Sequence, residues 1–95
     1  MVFLLVEAKL KVTGEVQGVG YRFHCRQLAR KFNVTGYADN LADGSVEVYA
    51  CGEEKDVDAF VYELRKTKPL DARIDTIEQL EHRPCSFSPE SFRVI

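Results

Sequence analysis

Apolar and polar residues alternate from Glu7 to Thr13, with Ala8, Leu10 and Val12 set against Glu7, Lys9, Lys11 and Thr13. That is the period of a strand with one buried face. The glycine-punctuated run Gly14-Glu15-Val16-Gln17-Gly18-Val19-Gly20 ends the alternation. From Tyr21 the period lengthens: Tyr21, Cys25, Leu28, Ala29 and Phe32 form one stripe of a helix, and Arg22, Arg26 and Arg30 lie on another face. Asn33 is expected as a left-handed cap. A strand over Val34 to Asn40 then leads into Ala42-Asp43-Gly44, a hairpin signal. The return strand alternates Val46, Val48 and Ala50 against Glu47, Tyr49 and Cys51. After Gly52 a second helical stripe follows in Val57, Phe60, Val61 and Leu64, ended by Pro69. Ala72 to Leu80 reads as a less regular edge strand, Arg83 to Pro89 as a loop, and Phe92 with Val94 as a short last strand.

The order βαββαβ predicts an α+β, ferredoxin-like sandwich: a four-stranded antiparallel sheet with two helices on one face and a short extra C-terminal strand. Ninety-five residues, 45% hydrophobic and 29% charged, fit one domain over 1–95 and exclude intrinsic disorder. The longest apolar run, Val2 to Val6, is five residues, far short of the ~20 of a membrane span. It also lacks the basic flank and length of a signal peptide, so a cytoplasmic address is expected. Because this fold hosts many activities, function has to be argued from a site.

Charge says where to look. The net −2 gives no reason to expect nucleic acid, but residues 1–35 carry six basic and two acidic side chains. Residues 36–95 carry seven basic and thirteen acidic, so an anion site is expected to draw on the first third. Cys25, Cys51 and Cys85 contain no C-x-x-C pair, which argues against a disulfide framework or zinc site and for small hydrophobes in a reducing compartment. Asn33-Val34-Thr35 matches a glycosylation sequon but has no secretion signal to give it meaning.

The densest chemistry lies between Gly14 and Arg22. Three glycines in seven residues permit a tight turn whose successive N–H groups form an anion nest. The helix that follows adds free N–H groups and the positive end of its dipole. Arg22, in its first turn, supplies a planar fork of donors suited to a phosphoryl group. Known phosphate loops do not fit. Walker A needs G-K-[ST] where Val19-Gly20 follow Gly18, and the dinucleotide fingerprint needs a small residue where Phe23 stands. The bland alternative, a tight connection beside a solvated basic face, stays open on this reasoning alone.

Gly14-Glu15-Val16-Gln17-Gly18-Val19-Gly20-Tyr21-Arg22 resembles the first signature of the acylphosphatase family, G-x-V-Q-G-V-x-[FY]-R. Gly36-Tyr37-Ala38-Asp39-Asn40, followed by Gly44-Ser45-Val46 and Gly52, resembles its second. The resemblance runs from about Glu7 to the last residue. It implies an enzyme hydrolysing carboxyl–phosphate anhydrides to carboxylate and inorganic phosphate, with no metal or other cofactor. The catalytic arginine falls on Arg22 and the water-positioning asparagine on Asn40. The phosphate-binding backbone falls on Glu15, Val16, Gln17, Gly18, Val19 and Gly20. The implied partners are a small-molecule acyl phosphate and inorganic phosphate as product and competitor, with no nucleic acid, no membrane and a monomeric state. Asp39 departs from relatives that often carry a basic or neutral residue there, but neighbouring strand residues face opposite ways.

Other residues get structural readings. Tyr21 and Tyr37 are expected to pack, Gln17 to brace the loop, His24 and His82 to be surface or structural, and Arg26 and Arg30 to be solvated. The rival class is a non-catalytic ligand- or RNA-binding module on the same fold. RNA recognition wants exposed aromatics on central strands and a basic face, and here only Tyr49 fits. A second enzymatic alternative is a carbamoyl-phosphate-handling module of the kind found within larger proteins.

Overall fold

The computed structural model describes residues 4–85 and 88–95. Val2 and Phe3 of the apolar run, and residues 86 and 87 of the expected loop, lie outside the described residues. The chain forms β1 (Leu5–Glu15), α1 (Tyr21–Lys31), β2 (Thr35–Asn40), β3 (Val46–Glu53), α2 (Glu54–Lys66), β4 (Arg73–Pro84) and β5 (Phe92–Val94). These build one sheet in the order β4-β1-β3-β2-β5, the ferredoxin-like arrangement expected. β5 adds a fifth strand parallel to β2, so the sheet is mixed and not wholly antiparallel.

Alternation decides which face is covered. Val6, Ala8, Leu10 and Val12 of β1 and Val46, Val48 and Ala50 of β3 are buried beneath Tyr21, Cys25 and Ala29 of α1 and Val57, Phe60 and Leu64 of α2. Phe92 brings β5 into this core, its ring 6.0 Å from that of Phe60. Burying each large apolar side chain contributes roughly 1.5–3 kcal/mol. Helix α1 ends where expected, with Asn33 left-handed at φ 61°. Helix α2 ends at Lys66, where Thr67 donates its N–H and hydroxyl to the Glu63 carbonyl, before Pro69 is reached.

One expectation needs correcting in the last third. β4 extends through Arg83 and Pro84, where the sequence pattern predicts a loop. Pro84 is tolerated because β4 is an edge strand, where a missing N–H leaves no ladder partner unpaired. The irregular pattern of β4 comes from two register shifts against β1. Thr13 pairs with Thr76 but Gly14 with Ile74, so Asp75 is an extra residue, and Ile74 and Ile77 both reach the core.

The helix-free face carries Tyr37 stacked on Tyr49 (centroids 5.4 Å apart), and the Tyr37 hydroxyl donates to Glu47 at 2.8 Å. Burial and this carboxylate push the Tyr37 pKa up to about 12. Asp39 lies on the same face opposite Glu47, whereas Ala38 and Asn40 alternate toward the helices.

Candidate active site

β1 ends at Glu15, opposite Arg73 in the ladder, and its carboxylate pairs with the Arg73 guanidinium at 3.0 Å. The loop then hangs on two apolar anchors. Val16 is buried in the core and Val19 packs against it, while Gln17, Gly18 and Gly20 are exposed between and beyond them. Gly20 caps α1 in the left-handed region at φ 81°, and a Cβ there would meet nothing within 4 Å. Conformation, not crowding, therefore requires glycine at this position.

The start of α1 has no side-chain cap and no acidic residue in its first turn. Its leading N–H groups lack intrahelical partners, and the dipole leaves partial positive charge there. Among the described residues, no N–H from Val16 to Gly20 donates to a backbone carbonyl in the loop's own turns. Beneath them, burial keeps the Tyr21 phenol and Cys25 thiol protonated, the Cys25 pKa being pushed up to about 12. Neither is a nucleophile at neutral pH.

The hairpin is drawn to the loop by Gln17, whose side-chain amide donates to the Leu41 carbonyl at 2.8 Å and the Ser45 carbonyl at 2.9 Å. Bracing, the role expected for Gln17, is what it performs. Asn40 lies next to Leu41 in the chain and opposite Val46 in the ladder, so this bond pair sets it beside the loop. Its Oδ1 is buried and has no hydrogen-bond partner among the described residues. A buried acceptor left unsatisfied costs roughly 1–3 kcal/mol, so such groups in a folded protein call for an explanation. The turn itself is held by Asp43, which accepts from the Ser45 N–H (3.0 Å) and hydroxyl (2.5 Å) and pairs with Lys11 (2.8 Å). Lys11 first, and then Ser45, hold the Asp43 carboxyl well below the usual carboxylate range.

Arg22 donates to the backbone oxygen of Ile95. Ile95 in turn donates its N–H to the Ala38 carbonyl at 3.0 Å, two residues before Asn40. The guanidinium is thus set against the strand pair that carries Asn40. This contact of Ile95 was not foreseen. β5 pairs with β2 through only three residues, and nothing local in the sequence announces where the following backbone oxygen falls. His24 bridges to Thr67 at 3.0 Å and His82 lies 3.9 Å from Asp58, outside the loop-and-hairpin cluster.

The family model for acylphosphatase matches residues 8–94, and the chain belongs to the acylphosphatase family. Among solved structures it resembles an acylphosphatase from Coxiella burnetii at 28% identity and a TM-score of 0.80, covering 97% of this chain and 94% of that one. It resembles acylphosphatase from Bacillus subtilis at 25% identity and a TM-score of 0.79, covering 95% and 98%. It also resembles HypF of T. kodakarensis at 36% identity and a TM-score of 0.81, covering 95% of this chain but 12% of that protein. Family and fold together support acylphosphatase activity in general. No helix among the described residues is long and apolar enough to cross a membrane.

Proposed function

We propose that the chain hydrolyses acyl phosphates, holding the phosphoryl group in the Glu15–Gly20 backbone and the Arg22 guanidinium while Asn40 orients the attacking water. The observation that carries this reading is the buried, unpartnered Oδ1 of Asn40, set by Gln17 beside an uncapped helix start. An unsatisfied acceptor there suits a water that donates to it and attacks in line with the leaving oxygen.

So few groups suffice because of the chemistry. Phosphoryl transfer through a loose transition state needs mainly positioning and charge stabilisation. The leaving carboxylate has a conjugate acid of pKa roughly 4, so it departs without a general acid. Arg22 and the loop N–H groups stabilise the equatorial oxygens. A neutral amide is a poor base, so the water's proton passes to a phosphoryl oxygen. The rival RNA-binding reading is not favoured by the helix-free face, where the two tyrosines stack on each other beside Glu47 and Asp39.

The test is release of inorganic phosphate from an aryl acyl phosphate in excess chelator. Turnover that persists is expected, and its loss on chelation would overturn the metal-free reading. Inorganic phosphate should compete with substrate, and Arg22→Ala should remove that competition. A second reading keeps the alternative raised from the sequence, in which carbamoyl phosphate is the preferred member of the same anhydride class; the match to a 12% share of HypF supports such a domain within a larger protein. A higher kcat/KM for carbamoyl phosphate than for the aryl substrate would select it.

A further inference from the structure

We propose that Cys51 and Cys85 are a redox site, forming a reversible disulfide that ties β3 to the connection between β4 and β5. Cys51 belongs to the alternation that faces away from the helices, yet it is only 1% exposed. Its neighbours there include Cys85 and Ser88. β4 and β5 occupy opposite edges of the sheet, with β1, β3 and β2 between them. Just after Pro84, Cys85 donates its N–H to the Leu5 carbonyl at 2.9 Å, at the start of β1. Its sulfur lies over the helix-free face, 3.8 Å from the Tyr49 hydroxyl. Farther along, the Ser88 hydroxyl meets Thr35 at 2.9 Å, and Ser91 accepts from the Gly36 N–H at 3.0 Å.

The result is a pair of sulfurs 3.3 Å apart, one from β3 and one from the residue just past β4, which is not a neighbour of β3 in the sheet. A disulfide bond is about 2.0 Å long, so closure needs about 1.3 Å of approach, within reach of small side-chain rotations. The two sulfurs are unequal. Cys85 is half-exposed and reachable, whereas burial first, and then its contact with Cys85, push the Cys51 pKa up to about 11. That inequality assigns the order of events. The Cys85 thiolate attacks an external small-molecule disulfide, forming a mixed disulfide and releasing one thiol. Cys51, on losing its proton, displaces the second thiol from the Cys85 sulfur. The two protein thiols are oxidised by two electrons and the external disulfide is reduced to two thiols. Cys25 stays out, being fully buried in the core beneath α1.

The two cysteines are 34 positions apart in the chain, so their spacing alone does not announce the approach. The pair is also remote from the candidate catalytic residues. Thr35 pairs with Cys51 and Asn40 with Val46, five residues apart along β3, or about 17 Å.

The experiment equilibrates the full chain in graded mixtures of reduced and oxidised glutathione, followed by acid quench, intact mass and peptide mapping. Expected is one intramolecular bridge, Cys51–Cys85, with Cys25 unmodified. The bridge should raise the thermal midpoint by roughly 15–30 °C by closing a loop of about 35 residues. Phosphate release should stay within about twofold. Cys51→Ala should accumulate a stable glutathione adduct on Cys85, for want of a resolving thiol. Cys85→Ser, at a half-exposed position that tolerates the change, should yield neither adduct nor bridge. A wild-type chain that stops at the adduct, stays unreacted, or bridges to Cys25 would overturn the proposal.

Discussion

The two helices begin in opposite ways. α2 opens after Glu53 in an extended conformation and carries Glu54 and Asp56 in its first turn, where negative side chains offset the positive end of the dipole. α1 opens after a left-handed glycine, carries no acidic residue there, and adds the positive charge of Arg22. Neither start has a side-chain cap, so the difference is electrostatic: α2 offsets the positive end of its dipole and α1 leaves it open. Gln17 then fixes Asn40, with its own buried acceptor unpartnered among the described residues, beside the open start of α1. A dipole end offset by carboxylates at one helix and left open at the other is how this small fold marks a place for an anion.

The largest effect expected from this contrast is on turnover. Arg22→Ala and Asn40→Ala should each lower kcat by at least ~10²-fold, the scale of losing one preorganised donor. Both variants should keep the wild-type fold by circular dichroism, because neither side chain fills the core. Near-normal phosphate release from either folded variant would break the assignment of its residue.

Gln17 offers a sharper, intermediate test, since its side chain reaches the hairpin while only its backbone belongs to the phosphate loop. Its two donated bonds hold the Leu41 and Ser45 carbonyls, each contributing about 1 kcal/mol. Gln17→Ala should lower kcat/KM by about tenfold. Gln17→Glu should do no better despite its similar length, because an ionised carboxylate cannot donate to a carbonyl. Recovery in the glutamate variant would show that side-chain bulk, and not these bonds, positions Asn40.

What could be read beforehand follows the range of the interactions. Both helices, the hairpin and the left-handed Asn33 are local matters of period and turn chemistry, and the sequence carries them plainly. The loop glycines and Arg22 were legible because a helix start is also local. Three features were not. The parallel docking of β5 rests on three residues, the contact of Arg22 with Ile95 joins positions 73 apart, and the Cys51–Cys85 approach joins positions 34 apart. Likewise, the extension of β4 to Pro84 follows from the length of β1 and two bulges, which a search for strict alternation passes over.

The smallest effect tests the helix contrast most directly, by giving α1 the kind of start that α2 has. Phe23 is 53% exposed in the first turn of α1, so it can be replaced with little loss of packing. Its ring does lie 4.9 Å beneath the Arg26 guanidinium, a contact that Phe23→Leu removes as a control. Phe23→Glu places a carboxylate near the free N–H groups, a change that stabilises a helix by about 0.3–1 kcal/mol at low ionic strength. The same charge should repel an anion held there, weakening competition by inorganic phosphate about two- to fivefold relative to Phe23→Leu. Stability and phosphate affinity should therefore move in opposite directions, and both changes should shrink in high salt. Urea midpoints and phosphate inhibition measured at two ionic strengths check the pair. If phosphate competes equally well in both variants, the open start of α1 is not where the anion binds.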